Sequence, residues 1–497
     1  MIKVISRRFF ITGLLAGLSG PAWANPPASS LRPQLRSASL RRRLAPGAGE
    51  LIEKAGLSGD LSFAVMDAGT GQLLEGHHAE QGLPPASVTK AITALYALDM
   101  LGGAHRFATR LVAAGTVANG ILEGDLVLAG GGDPTLDTDA LAAMAAQLKA
   151  SGIREVRGRF LVWGGALAQV RSIDPAQPDH VGYSPAISGL SLNYNRVHFE
   201  WKRAAGGGWG VTMDARSSRY RPEVTMARMK IVKRDLPVYT YEDRGGVDHW
   251  TVASGALGKG GARWLPVRQP EIYAGEVFRT MARAHGIVLK APQVSRAAPG
   301  GQVVVRHESA PLREILKAML KYSTNVTAEI VGMAATAARG VPASTLRASA
   351  GEMNRWAAER LAMRHAALVD HSGLGDASRL RAAEMAGALA RSAGQTELRP
   401  ILKDIKLRDE KGNVKQNPGM QVQAKTGTLN FVSGLAGYLQ VHDGSLLAFA
   451  ILAADTGARE RIAAQDRERP KGARRWNRRA KTLQQRLIER WDGLYGA

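Results

Sequence analysis

The chain has 497 residues, 45% of them hydrophobic, and a formal net charge of +23. That is enough apolar material for two or three domains with their own cores. It contains no cysteine, which excludes disulfides, thiolate catalysis, cysteine-ligated zinc, iron–sulfur clusters and a lipoprotein anchor.

Residues 1–24 read as an export signal. Lys3, Arg7 and Arg8 form a basic head, residues 9–20 a short apolar core, and Ala22-Trp23-Ala24 an A-x-A cleavage site, so the mature chain is expected to start near Asn25. Ser6-Arg7-Arg8-Phe9-Phe10-Ile11 resembles the twin-arginine signal, which exports proteins already folded. An ordinary secretory signal with two arginines, or a membrane anchor, is the alternative, although the apolar core is short for a span. Removing this leader takes away three cations and no acid, so +23 falls to +20. Such a chain is attracted to polyanions. For an exported protein these are anionic membrane surfaces and acidic cell-wall polymer rather than nucleic acid.

Residues 25–50 hold Pro, Ser and clustered Arg and read as a loose leading segment. Residues 61–66, 67–71 and 72–75 read as strand, turn and strand. Pro84-Pro85-Ala86-Ser87-Val88-Thr89-Lys90 then opens a helix, because proline costs little at a helix start. Ser87 and Lys90 become neighbours on one face of it. A serine hydroxyl is a poor nucleophile until a base takes its proton, and a lysine whose pKa is lowered by burial or by another cation can be that base. The positive end of the helix dipole suits the charge that develops there. Isolated Ser-x-x-Lys copies are common on helix surfaces, so the reading depends on motifs further along the chain.

From 105 to about 300 the texture changes to short strand-like runs, such as 122–128, with many glycine breaks. Gly130-Gly131-Gly132-Asp133-Pro134 reads as a structural turn, since it lacks both the Walker lysine and the Rossmann spacing of a phosphate cradle. Residues 138–150 look helical and 190–290 mostly β. Helical texture returns near 305: Ser309 and Pro311 mark a start, and Leu312, Ile315, Leu316 and Met319 keep helical spacing. Further helices are expected at 325–338, 353–361 and 381–393. Strands are expected at 421–425, 435–441 and 446–452, the last two joined by the turn His442-Asp443-Gly444. The closing basic helix repeats Leu483, Leu487 and Trp491 every four residues. It reads as a core-covering helix with a solvated basic face, with a membrane-binding helix as the alternative.

Three motifs line up in order: Ser87-Val88-Thr89-Lys90, Ser323-Thr324-Asn325, and Lys425-Thr426-Gly427 with Thr428 after it. They are the Ser-x-x-Lys, Ser-x-Asn and Lys-Thr-Gly elements of serine acyl-transferases that include penicillin-binding proteins and class A β-lactamases. Ser191-Leu192-Asn193 and Lys259-Gly260-Gly261 are near copies without the matching context. In this reading Ser87 attacks a carbonyl and Lys90 accepts its proton. Ser323 relays a proton to the leaving amine, and Asn325 orients substrate and lysine. Lys425, Thr426 and Thr428 hold a terminal carboxylate, Gly427 admits the substrate, and the N–H groups of Ser87 and Thr428 form an oxyanion hole.

Together with Gly131-Gly132-Asp133-Pro134 and Asp370-His371-Ser372-Gly373-Leu374, these motifs make the chain resemble the D-alanyl-D-alanine carboxypeptidase/endopeptidases of the penicillin-binding-protein-4 type, the low-molecular-mass class C penicillin-binding proteins, over nearly all of its mature length. The resemblance implies an α/β (α+β) fold: a β-lactamase/transpeptidase-like domain, its antiparallel sheet flanked by helices, with mostly β accessory domains inserted after the Ser-x-x-Lys helix. The expected division is 1–24 export signal, 25–104 and 305–497 catalytic domain, 105–304 inserted domains. The implied protein is periplasmic, needs no metal or cofactor, and acts on peptidoglycan stem peptides through an acyl-enzyme on Ser87. It releases D-alanine or cuts crosslinks, and β-lactams inhibit it. A β-lactamase or esterase on the same scaffold and a non-catalytic cell-wall-binding protein are the alternatives. The long first gap and the lack of a Glu-x-x-Leu-Asn segment speak against the lactamase. The family usually has a small residue where His371 stands. Adjacent Asp370, His371 and Ser372 cannot converge as a triad, so His371 is expected to have no catalytic role.

Overall fold

The computed structural model describes residues 45–409, 412–415 and 419–496; the expected export signal lies outside them. The strands expected around 61–75 and 421–452 form one antiparallel sheet. Its order is Lys403–Asp404, Gln421–Leu429, Val432–Gln440, Leu446–Ala454, Asp60–Asp67, Leu73–His77. Alternation of side chains along a strand gives this sheet two apolar faces. Ala436, Tyr438, Ala448, Ala450 and Leu452 point to one layer of helices: Thr89–Leu101, Leu312–Tyr322, Asn325–Ala338, Leu346–Leu361 and Ala382–Ser392. Leu435, Leu447, Phe449, Ile451, Phe63 and Val65 point to the other, made by Ala48–Ala55 and Ala473–Tyr495. The catalytic-domain architecture expected from the motifs is therefore present: a helix–sheet–helix sandwich.

The C-terminal helix explains its own sequence pattern. Trp476, Leu483, Leu487 and Trp491 are buried against the sheet, whereas Arg474, Arg475, Arg478 and Lys481 are not buried with them. No helix among the described residues is long and apolar enough to cross a membrane.

After the helix Thr89–Leu101 the chain builds a second unit. A mixed sheet runs Pro292–Val294, Phe160–Trp163, Ile121–Ala129, Ala108–Ala118, Gln302–Glu308, and two three-stranded sheets add Arg196–Arg203, Trp209–Asp214 and Gly260–Pro266, then Ala227–Val232, Tyr239–Arg244 and Val247–Ala253. Because Gln302–Glu308 pairs with Ala108–Ala118, the chain leaves this unit only after Glu308. The segment read as mostly β also contains a helix, Pro270–Ala284, with Pro270 at its first turn and Tyr273, Val277, Phe278 and Met281 buried at helical spacing. The Gly130–Asp133 segment is a structural turn. Asp133 Oδ1 accepts the Thr135 N–H at 2.8 Å and the Thr135 hydroxyl at 2.7 Å, and a Cβ on Gly130 would lie 2.3 Å from the Gly189 carbonyl oxygen.

The back helix is held by one large anchor. The Trp491 ring packs against Phe63 and Phe449, with centroids 5.8 and 5.7 Å apart, and its Nε1–H donates to Glu75 Oε2 at 3.0 Å. Trp491→Ala is expected to cost about 3–5 kcal/mol, read as a lowered urea midpoint.

Candidate active site

The Ser-x-x-Lys segment does not run as one helix. Ala86–Val88 is a single 3-10 turn, and the α-helix starts at Thr89. Ala86 has φ +47°, a left-handed conformation that a Cβ disfavours. The bend leaves Ser87 half-buried at the cleft while Lys90 is fully buried one turn on.

Lys90 Nζ lies 3.0 Å from Ser87 Oγ, 2.7 Å from Asn325 Oδ1 and 2.8 Å from the Ser372 carbonyl oxygen. Burial pushes its pKa down to about 8, against the opposing pull of Glu329 and Asp370. A neutral amine has two N–H bonds and one lone pair. The amide and carbonyl oxygens can only accept, so they take the two N–H groups and leave the lone pair for the Ser87 hydroxyl.

Asn325 opens the helix Asn325–Ala338, and its Nδ2 donates to the Tyr183 carbonyl oxygen at 3.0 Å. Tyr183 lies on a loop of the second unit. That loop is clamped by the buried Arg268, whose Nη1 donates to the carbonyls of Arg171 and Ser184 and whose Nη2 donates to that of Asp179. Ser323 ends the preceding helix in a left-handed conformation, and its Oγ accepts from Lys425 Nζ at 2.9 Å. Burial, then Lys90 and Lys403, hold the Lys425 amine well below the usual lysine range.

On the strand Gln421–Leu429, Lys425 and Gly427 are buried and Thr426 and Thr428 exposed. Ile405 N–H donates to the Val422 carbonyl, so the main chain of Val422 faces the Lys403–Asp404 strand. Alternation then turns the N–H and C=O groups of Thr426 and Thr428 the same way. Pairing on that side stops at Ala424, so the edge beyond it is open. Gly427 brings it close to Ser87: a Cβ there would sit 2.7 Å from the Pro85 carbonyl oxygen and 3.1 Å from Ser87 N.

All eight residues read from the motifs thus converge on one cleft. His371 does not line it. Its ring is buried against Gly332, its Nε2 lies 2.8 Å from Ser349 Oγ, and burial pushes its pKa down to about 3, leaving it neutral. The near copy Ser191–Asn193 is structural: Ser191 Oγ donates to the Ser188 carbonyl and Asn193 Nδ2 donates to Thr138 Oγ1. Sequence reasoning missed Glu329 and the Tyr183 carbonyl. Glu329 had a signal, since it stands one helical turn after Asn325 on the same face. Among the described residues no group of three or more His, Asp or Glu could hold a metal ion.

Residues 49–471 match the D-Ala-D-Ala carboxypeptidase 3 (S13) family. A D-alanyl-D-alanine carboxypeptidase from Actinomadura sp. (strain R39) is 27% identical over 444 residues, covering 81% of this chain and 79% of the relative. A carboxypeptidase of Mycobacterium tuberculosis is 28% identical over 430 residues, covering 82% and 78%. The crystal structure of penicillin binding protein 4 from Haemophilus influenzae superposes with a TM-score of 0.67 at 20% identity, covering 90% of this chain and 98% of that one.

Gly373 supports the Ser87 turn from below. It has φ +73°, and a Cβ there would lie 1.9 Å from the Ala86 carbonyl oxygen. Gly373→Ala is expected to displace Ser87 and to slow acylation by a penicillin about 100-fold or more, since misplacement by about 1 Å has that effect. Stopped-flow trapping with a fluorescent penicillin measures it.

Proposed function

We propose that this chain, which belongs to the D-Ala-D-Ala carboxypeptidase 3 (S13) family and is a serine peptidase, cleaves the D-Ala-D-Ala terminus of peptidoglycan stem peptides through an acyl-enzyme on Ser87. The observation that carries this reading is the three-way hold on Lys90 Nζ by Ser87, Asn325 and the Ser372 carbonyl. It makes an oriented, buried amine the base for the serine.

Ser87 Oγ bonds to the carbonyl carbon of the penultimate D-alanine as its proton passes to Lys90 Nζ. The N–H groups of Ser87 and Thr428 hold the oxyanion. The C–N bond then breaks, and the amine of the last D-alanine leaves with a proton delivered through Ser323. Water attacks the acyl-enzyme and returns Ser87. The substrate lies along the open edge of the Gln421–Leu429 strand as an added strand. Its carboxylate meets Lys425 and the hydroxyls of Thr426 and Thr428, and Gly427 leaves room for it. Crosslinks ending in the same D-amino-acid bond fit the same cleft, which adds endopeptidase activity. The leader at 1–24 sends the chain to the periplasm, where its positive charge brings it to anionic membrane or cell-wall polymer.

Intact-protein and peptide mass spectrometry after incubation with a penicillin tests this. One stable drug mass on the peptide carrying Ser87, absent in Ser87→Ala, is the expected result. Rapid drug hydrolysis without an adduct would replace this reading with a β-lactamase. Lys90 accepts a proton only when neutral, so kcat/KM is expected to fall below a pH of about 8 and to rise to a plateau above it.

A further inference from the structure

Glu329 has no part in the chemistry above, yet it is fully buried, with 0% of its surface exposed. A carboxylate in that position is costly unless donors or cations compensate it. Its compensation comes from the turn that carries Ser372. Glu329 Oε2 accepts the His371 N–H at 3.0 Å, and Oε1 accepts the Ser372 N–H at 2.9 Å. Asp370 finishes the turn, accepting the Gly373 and Gly375 N–H groups at 2.6 Å each. Ser372, whose N–H Glu329 holds, is the residue whose carbonyl receives Lys90. Glu329 and Asn325 sit one turn apart on the same helix, so two of the three holds on Lys90 trace to a single helix face.

We propose that Glu329 is a positioning residue for Lys90: it fixes the Ser372 carbonyl that aims the lysine lone pair at Ser87, and it supplies the buried negative charge against which Lys90 holds the proton taken from Ser87. The proposal rests on Lys90 being the base. During acylation the Ser87 O–H bond breaks and a new N–H bond forms on Lys90, so an ammonium appears in a fully buried position. The charged and titratable groups around it are Glu329 on the helix Asn325–Ala338, Asp370 and the neutral His371 on the turn, and Lys425 on the facing strand. Glu329 and Asp370 favour the ammonium and Lys425 opposes it. Burial, then Asp370, raise the Glu329 pKa to about 8 against the pull of the two N–H donors and Lys90, so Glu329 and Lys90 titrate as a pair.

The test is the pH profile of Ser87 acylation by a penicillin, measured in the full mature protein. In Glu329→Gln the ammonium loses its main counter-charge. The acid limb should therefore move down by about one pH unit, and the plateau should fall about tenfold, because a less basic and less fixed lysine is a weaker base. A purely structural role would lower the plateau and leave the limb in place. Glu329→Asp keeps the charge but shortens its reach, and should hold the limb near its wild-type position with a reduced plateau. A limb that stays put in E329Q, or that moves as far in E329D as in E329Q, overturns the proposal. If E329Q does not fold, Glu329→Met, which keeps the volume and removes the charge, takes its place: a limb moved down by about one pH unit supports the proposal, and a limb at its wild-type position overturns it. A wild-type profile with no acid limb refutes Lys90 as the base and this proposal with it, and that failure is visible before any variant is made.

Discussion

The molecule is built around keeping one lysine amine dry and aimed. In water the Lys90 amine would be protonated; buried, it needs acceptors for its N–H groups or it costs more than the fold can offset. Its three partners come from three separate stretches of chain, the 3-10 turn at Ser87, the helix starting at Asn325 and the turn at Ser372. None of these is in place unless the helical layer is packed, so the core cluster of Tyr96, Trp356, Val331 and Met353 is also the support of the site. A second buried amine, Lys425, stands close enough that each opposes the charging of the other. Each lysine also holds a serine, Lys90 with Ser87 and Lys425 with Ser323, so the two pairs are arranged alike.

The second unit is not a passive insertion. Its loop reaches the cleft through the Tyr183 carbonyl, which takes an N–H of the same Asn325 that holds Lys90. Ile173 and Ile187 from that unit pack with Val326, Ile330 and Met333 on the helix behind Asn325. Arg268 anchors the loop by three main-chain carbonyls, reached from two separate nitrogens of one planar guanidinium. Asn325 is therefore fixed from both sides.

How much could be read from the letters depends on the kind of group that does each job. Ser87, Lys90, Ser323, Asn325 and Lys425 act through side chains of particular chemistry, so their spacing carries the signal. The antiparallel sheet was legible in the alternation of 421–425 and the apolar runs at 435–441 and 446–452. Carbonyls leave no such trace: every residue has one, and nothing in the letters marks Tyr183 or Ser372 as the ones used. The break of the Ser87 helix into a 3-10 turn depends on the left-handed Ala86, which tertiary packing against Gly373 and Gly427 imposes. Pro270–Ala284 was lost for another reason, because its helical spacing lies inside a stretch whose glycines and β-branched residues dominate the texture. Glu329 was overlooked because an acid on a helix is ordinarily a solvated one.

The sheet order has a consequence for how the chain comes to be folded. Asp60–Asp67 pairs along its whole length with Leu446–Ala454. Every other strand of that sheet comes from residues 403–440 or is the hairpin partner of the first. A growing chain thus presents Phe63 and Val65 long before Phe449 and Ile451 exist to cover them. Closing a loop of that length is entropically slow, and sheets that depend on such distant pairings fold late. The second unit, whose strands are drawn from a continuous stretch, can form first as emerging domains do. The Ser87 segment then waits, its contacts with Gly427 and Lys425 unmade, until residues 421–454 have been made. This ordering leaves an apolar hairpin that needs protection until those strands arrive.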